Sequence, residues 1–136
     1  MDHEYASIQG IDSFIDKSVK LAYGGDSEIY KNGQIAGAQS LSGTGAIRLG
    51  FEFLKDFYPK KGVEVLTPDP TWPIHRTIAE KTGYKWVNYR YYDPKSKSLN
   101  LTGLLEDFNK AQDESIVVLH VCAHNPTGVD PTNDQW

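Results

Sequence analysis

The chain has 136 residues and a formal net charge of −4, from 14 basic and 18 acidic residues. This length suffices for one domain with a buried core, and the scattered, slightly acidic charge argues against nucleic acid or an anionic membrane as a partner. A single cysteine, Cys122, excludes an internal disulfide framework and fits a reducing compartment.

The chain carries no apolar run long enough to span a bilayer. Its first residues, Met1-Asp-His-Glu-Tyr-Ala6, are acidic and lack the apolar region that is typical of a signal peptide. We therefore expect a cytoplasmic location, with an organellar form left open.

Apolar residues recur at helical and strand-like spacings in alternating segments, which predicts four helices and four strands. The predicted elements are a helix over 8–21, a strand over 34–39, a helix over 46–58, a strand over 63–66, a helix over 71–82, a strand over 85–91, a helix over 101–110 and a strand over 116–121. This order predicts an α/β fold in which helices cover both faces of a mostly parallel sheet.

Ser42-Gly-Thr-Gly45 stands between a predicted strand and a predicted helix. Small residues and hydroxyls at a helix N-terminus favour an anion, and a phosphate is the natural guest. Neither the Walker loop nor the dinucleotide fingerprint matches, because Phe51 follows Gly50 and Arg48 occupies the third glycine position. The alternative is a simple helix cap in which glycine permits tight packing.

Asp69-Pro-Thr-Trp-Pro73 follows the predicted strand 63–66. A tryptophan between two prolines loses little entropy when it stacks on a flat ligand. His75 lies about one helical turn from Trp72, so both side chains can face the same ligand. The alternative is a core tryptophan with a histidine at the surface.

The segment His120-Val-Cys-Ala-His-Asn-Pro-Thr-Gly128 follows the last predicted strand, at the end where open α/β sheets bind ligands. If the strand continued, His120, Cys122 and His124 would share one face and could bind zinc, but the usual fourth ligand is missing. We favour a constrained Asn125-Pro126 turn that presents the Asn125 amide as a donor, and we predict no metal site.

Thr132-x-x-Gln135 matches a capping box, which predicts a helix start at the point where the chain ends. We therefore expect the chain to be part of a longer protein. The alternative is a polar tail that matches a permissive pattern by chance.

Four stretches together resemble the aspartate branch of the fold-type I pyridoxal-phosphate aminotransferases. They are Gln39-Ser-Leu-Ser-Gly-Thr-Gly-Ala46, Pro70-Thr-Trp-Pro73 with His75, Tyr89-Arg-Tyr-Tyr-Asp-Pro94, and His120-Val-Cys-Ala-His-Asn-Pro-Thr-Gly-Val-Asp-Pro-Thr132. Asp2-His-Glu-Tyr5 also resembles the segment that precedes the first large-domain helix in this family. The resemblance implies pyridoxal 5′-phosphate as cofactor, amino-acid and 2-oxo-acid substrates, and a homodimer.

The resemblance also implies site residues. Ser42, Gly43 and Thr44 would bind the cofactor phosphate. Trp72 would stack on the pyridine ring and help to hold the substrate carboxylate. Asn125 would donate to the phenolic oxygen of the cofactor and lie near the same carboxylate.

Three further residues receive supporting roles from the resemblance. His75 would support the acid that pairs with the pyridine nitrogen, and His120 would belong to the same network. Tyr5 would reach the cofactor phosphate of the neighbouring subunit. The family's two cis peptides would fall at Asp69-Pro70 and Asn125-Pro126.

The resemblance covers residues 1–136 as an incomplete cofactor-binding large domain, without the C-terminal half of that domain and without the small domain. In the family those parts supply the Schiff-base lysine, and no lysine of this chain stands in a pattern that marks a nucleophile. The implied full enzyme transfers an amino group between L-aspartate and 2-oxoglutarate, and we expect the chain alone to be inactive. The alternatives are a non-catalytic or split-chain module and a flavodoxin-like domain that binds phosphate or a nucleotide.

Overall fold

A computed structural model describes residues 3–136, which fall into two compact units, 3–46 and 47–136. The boundary lies within the helix α3 (Ser42–Phe57). The first unit also contains α1 (Asp12–Tyr23) and the short α2 (Glu28–Lys31). No described residue of this unit is fully buried.

The segment that follows α2 lies against α1 without forming a strand. Gly37 approaches α1 so closely that an added Cβ would lie 2.8 Å from Cγ2 of Ile15, which explains why a glycine occupies this position. Gln39 fixes the end of the segment, because its backbone N–H donates to Gln9 O at 2.7 Å and its side chain accepts from Ile11 N at 3.0 Å.

The second unit is built on a three-stranded parallel sheet with the order β2–β1–β5. Its strands are β1 (Glu64–Asp69), β2 (Lys85–Arg90) and β5 (Ile116–Val117). β1 is the central strand and pairs from Glu64↔Lys85 to Asp69↔Arg90 on one side, and at Val65↔Ile116 and Leu66↔Val117 on the other. The α/β fold with a parallel sheet is thereby confirmed.

The remaining elements of this unit connect the strands. They are α4 (Ile74–Lys81), the antiparallel pair β3 (Tyr92–Asp93) and β4 (Ser98–Leu99), and α5 (Leu101–Lys110). Asn100 caps α5, because its side chain accepts the N–H of Gly103 at 2.9 Å.

Two apolar clusters use alternate residues of β1, as expected when successive side chains point to opposite faces of a sheet. Val65 packs with Phe51, Ile78 and Ala79 of α3 and α4. Leu66 belongs to the other cluster, whose buried members are Leu66, Tyr89, Tyr91 and Leu104. Helices therefore cover both faces of the central strand.

Several predicted boundaries are wrong, each for a local reason. The strand predicted over 34–39 is absent because that segment has no strand partner in the described chain. The last strand ends at Val117 and not at 121. α1 begins at Asp12, after a turn in which Gly10 adopts φ 104°. α3 begins four residues earlier than predicted, and α4 begins at Ile74, after Pro73.

Phe51 and Phe53 of α3 offer a test of the core. Phe51 is 5 % exposed and packs in the cluster around Val65, whereas Phe53 is 59 % exposed. We expect Phe51→Ala to lower the free energy of unfolding by about 3–4 kcal/mol, because a buried aromatic leaves a cavity. Phe53→Ala, the matched control, should cost less than about 1 kcal/mol. Urea unfolding of both variants measures the difference, and equal losses would contradict this placement of the core.

Candidate active site

The carboxyl ends of the three parallel strands supply the candidate site. Thr71, Trp72 and His75 follow β1, Tyr91 follows β2, and the segment from His120 onward follows β5. Since ligands in open α/β sheets bind outside this edge, its position agrees with the sequence expectation.

A series of hydrogen bonds joins the segment after β1 to the segment after β5. The backbone N–H of Asn125 donates to Nδ1 of His120 at 3.1 Å. Nε2 of His120 lies 3.3 Å from Oγ1 of Thr71, and this hydroxyl lies 2.8 Å from Nδ1 of His75. The structure therefore brings together His75, His120 and Asn125, which the sequence had singled out, and joins them through Thr71.

The donors fix the direction of this series. Because Nδ1 of His120 accepts from Asn125, the ring proton of His120 lies on Nε2 and is donated to Thr71. The Thr71 hydroxyl, which accepts from His120, is free to donate its own proton to Nδ1 of His75, and in that tautomer the proton of His75 lies on Nε2. The arrangement thus ends in a donor at Nε2 of His75.

The aromatic and imidazole rings of the site form a row in which each ring contacts the next. Trp72 contacts His75 edge to face, with ring centroids 5.6 Å apart, and His75 contacts His120 in the same way at 5.1 Å. His120 stacks on His124 at 4.3 Å, and His124 stacks on Tyr91 at 3.9 Å. Trp72 therefore lies at one end of a continuous row of rings and is partly exposed.

Burial keeps the three histidines neutral at neutral pH. It lowers the pKa of His75, with a further contribution from His120, and it lowers the pKa of His120 against the opposing effect of Asp130. Burial and the neighbouring His120 lower the pKa of His124 to about 4. A row of neutral rings accepts and donates hydrogen bonds without carrying charge into the site.

Asp130 closes the turn that carries Asn125. Its carboxylate accepts the backbone N–H of Ala123 at 2.7 Å and of His124 at 2.9 Å, and these bonds lower the pKa of Asp130. The N–H of Gly128 donates to His124 O at 2.7 Å. The Asn125 side chain remains exposed on this turn, where its amide is accessible to a ligand.

Both predicted cis peptides, Asp69-Pro70 and Asn125-Pro126, are confirmed. The zinc interpretation of the last segment loses its structural premise, because β5 ends before His120. Cys122 is exposed, and residues 3–136 contain no group of three or more His, Cys, Asp and Glu side chains placed to hold a metal ion.

Ser42, Gly43 and Thr44 form the first turn of α3 and are all exposed, whereas the sequence placed them ahead of the helix. Ser42 adopts φ 60° at the point where the helix begins. N–H groups in the first turn of a helix have no intrahelical carbonyl to bind, so this turn offers backbone donors and two hydroxyls to an anion. The donor set fits a phosphate.

Three contributing residues were not singled out from the sequence: Thr71, Tyr91 and Asp130. His124 was considered there only as a candidate zinc ligand. Thr71 lies within the Pro70-Thr-Trp-Pro73 motif, and Asp130 lies within the last motif. Their residue types alone gave no reason to prefer them. Tyr91 becomes relevant only because β2 and β5 both flank β1.

The whole chain, residues 1–136, matches the family model described as aminotransferase class I and II. The chain belongs to this aminotransferase family. A mitochondrial aspartate aminotransferase of Schizosaccharomyces pombe is 48% identical over 136 residues, which are 100% of this chain and 30% of that protein. The chain thus spans about a third of the length of the relatives that it matches.

Solved structures of aminotransferases share the fold. The mitochondrial aspartate aminotransferase of Trypanosoma brucei matches with a TM-score of 0.93 and 43% identity, over 100% of this chain and 35% of that chain. An aromatic-amino-acid aminotransferase of Burkholderia pseudomallei, covalently bound to pyridoxal phosphate, matches with a TM-score of 0.94 and 40% identity, over 100% of this chain and 34% of that chain. Membership of the family overturns the flavodoxin-like alternative.

The neutral histidines predict how stability depends on pH. The pKa of His124 is about 4 in the folded chain and about 6.5 when exposed, so the unfolded chain binds more protons between these values. We expect stability to be highest above about pH 6.5 and to fall by roughly 2–3 kcal/mol as the pH drops toward 4. His75 and His120, whose pKa values are also lowered, add losses of the same sign.

Urea unfolding at a series of pH values measures this dependence. The matched variant His124→Gln removes the titrating ring, so its stability should decline less steeply over the same range. An equal decline in the variant and in the original chain would contradict the assignment to His124.

Proposed function

We propose that this chain is part of an aspartate aminotransferase, which transfers an amino group between L-aspartate and 2-oxoglutarate through pyridoxal 5′-phosphate. Residues 1–136 would form an incomplete cofactor-binding large domain, and the complete enzyme would be a homodimer. The observation that carries the proposal is the hydrogen-bonded series from Asn125 through His120 and Thr71 to His75, beside Trp72. The sequence identity to aspartate aminotransferases supports it.

Two sets of residues, each taken by itself, fit one part of the cofactor. The exposed first turn of α3, with Ser42, Gly43 and Thr44, suits the phosphate. The partly exposed Trp72 suits stacking on the pyridine ring, and the exposed Asn125 amide suits the phenolic oxygen. When bound, the cofactor supplies the electron sink for the reaction.

The histidines of the site orient groups and hold protons at defined atoms. In the tautomer in which Nδ1 of His75 accepts from Thr71, Nε2 of His75 would donate to the acid that the family places beside the pyridine nitrogen and would keep that acid ionised. His120 fixes the backbone of Asn125 through Nδ1 and so fixes where the Asn125 side chain begins. Trp72 and Asn125 would also contact the substrate carboxylate.

Tyr5 is proposed to reach the phosphate site of the neighbouring subunit. Its side chain is 98 % exposed, which leaves it accessible to a second chain. Met1 and Asp2, which belong to the same family-like segment, lie outside the described residues.

The compartment stays a prediction. The Schizosaccharomyces pombe relative is mitochondrial by name, so the family likeness does not favour the cytoplasm that the sequence suggested. No helix among the described residues is both long and apolar enough to cross a membrane.

A preference for aromatic amino acids is the second candidate function, because the Burkholderia pseudomallei structure matches nearly as well. Two-chain reconstitution distinguishes the two substrates. The chain is mixed with a polypeptide that covers the remaining length of the Trypanosoma brucei enzyme, and turnover of L-aspartate and L-phenylalanine is compared. Preference for L-aspartate supports the first candidate, and preference for L-phenylalanine supports the second.

Binding of pyridoxamine 5′-phosphate tests the site without cofactor chemistry, because this probe lacks the aldehyde that reacts with surface lysines. We expect the probe to quench tryptophan fluorescence, and Asn125→Ala to weaken binding about tenfold through the loss of one hydrogen bond. Asn109→Ala, on the exposed surface of α5, is the matched control and should bind like the original chain. Equal affinities of both variants would contradict the role of Asn125.

The 136-residue chain alone should not catalyse transamination. Each of its lysines is at least partly exposed, and several pair with surface groups, such as Lys31 with Glu28 and Lys60 with Glu114. None is therefore proposed as the covalent attachment point of the cofactor. An aspartate and 2-oxoglutarate assay with added cofactor measures this, and turnover above that of a preparation with blocked lysines would refute the expectation.

A further inference from the structure

His124 has no part in the proposed chemistry, yet it is one of the most deeply buried side chains of the site. It is 1 % exposed and lies between the rings of Tyr91 and His120. The ring planes differ by 13° on the Tyr91 side and by 29° on the His120 side. The His124 imidazole therefore has flat contacts on both faces.

Tyr91 fixes the outer face of this stack. Its hydroxyl donates to Val129 O at 2.7 Å, on the same turn that carries His124 and Asn125. Its ring also contacts Tyr89 edge to face at 6.5 Å. Tyr91 is thus held both by the core behind β2 and by the turn after β5.

The hydrogen bonds of His124 do not by themselves explain its burial. The Thr127 hydroxyl accepts the Val129 N–H at 3.2 Å and forms a 2.8 Å hydrogen bond with Nδ1 of His124. Nε2 of His124 is buried and has no partner among the described residues. Since an unpaired buried polar atom is unfavourable, we look to the flat contacts of the ring for the reason that His124 is buried.

We propose that His124 is a positioning residue: it fills the space between Tyr91 and His120 and so holds His120 where Nδ1 accepts the Asn125 N–H. Without a ring at position 124, the His120 imidazole would have one face unsupported and could rotate away from Asn125. The consequence for the orientation of Asn125 toward the cofactor rests on the function proposed above. The geometry of the stack itself does not.

Nuclear magnetic resonance of the histidine ring nitrogens in the 136-residue chain tests the proposal. In the original chain we expect His120 to carry its proton on Nε2. His124→Leu, which lacks a flat ring, should give His120 a mixture of both tautomers and should speed amide exchange of Asn125 about tenfold or more. His124→Phe keeps a flat ring without either nitrogen, so it should leave the tautomer unchanged and the exchange rate within about twofold.

This pair of variants separates positioning from general stability. If His124→Leu and His124→Phe alter the His120 tautomer and Asn125 exchange equally, the ring acts through its nitrogens or through stability alone, and the proposal is overturned. If His124→Leu leaves both unchanged, the proposal is likewise overturned. Should His124→Leu fail to fold, His124→Gln serves as the variant without a ring and is judged by the same two readouts.

The result is also separable from the proposed function, because these readouts require no cofactor. If the His124 variants behave as expected but Asn125→Ala binds the probe like the original chain, the proposed function is contradicted and the positioning role of His124 stands. If Asn125→Ala binds the probe more weakly but His124→Leu leaves the His120 tautomer unchanged, the proposed function is supported and the positioning role of His124 is contradicted.

Discussion

The pairing of β1 with a parallel strand on each side is the constraint on which the candidate site depends. β1 is the only one of the three strands that is bonded to both others, so the chain that leaves it lies between the segments that leave β2 and β5. Thr71 and His75 come from the first of these segments, Tyr91 from the second, and His120 and His124 from the third. No short stretch of sequence contains the site, because its members converge only when all three strands are in register.

Burial then determines the chemistry of these residues. Imidazoles that are removed from water lose protons more readily, so His75, His120 and His124 remain neutral, and each presents one acceptor and one donor. A charged ring at His120 could not accept the Asn125 N–H. The series from Asn125 to His75 therefore depends on the burial that keeps His120 neutral.

Much of the fold was predictable where local patterns and partners agree. The helix over 101–110 matches α5, and the strand over 85–91 matches β2 to within one residue. The strand over 34–39 was wrong, because its composition suits a strand but no neighbour is available to complete a ladder. Similarly, the apolar residues after Val117 suggested a longer β5, yet pairing with β1 stops there.

The sequence by itself determined the family and the alternation of helices and strands, and it predicted site roles for Trp72, His75, His120 and Asn125, because these follow from motifs and periodicities that are local in the chain. Only the tertiary structure decided that His124 stacks between Tyr91 and His120. Tyr91 precedes His124 by 33 residues in the sequence. The physical reason is that ring contacts and proton positions depend on which strand ends are neighbours, and strand order is set by packing across the whole sheet.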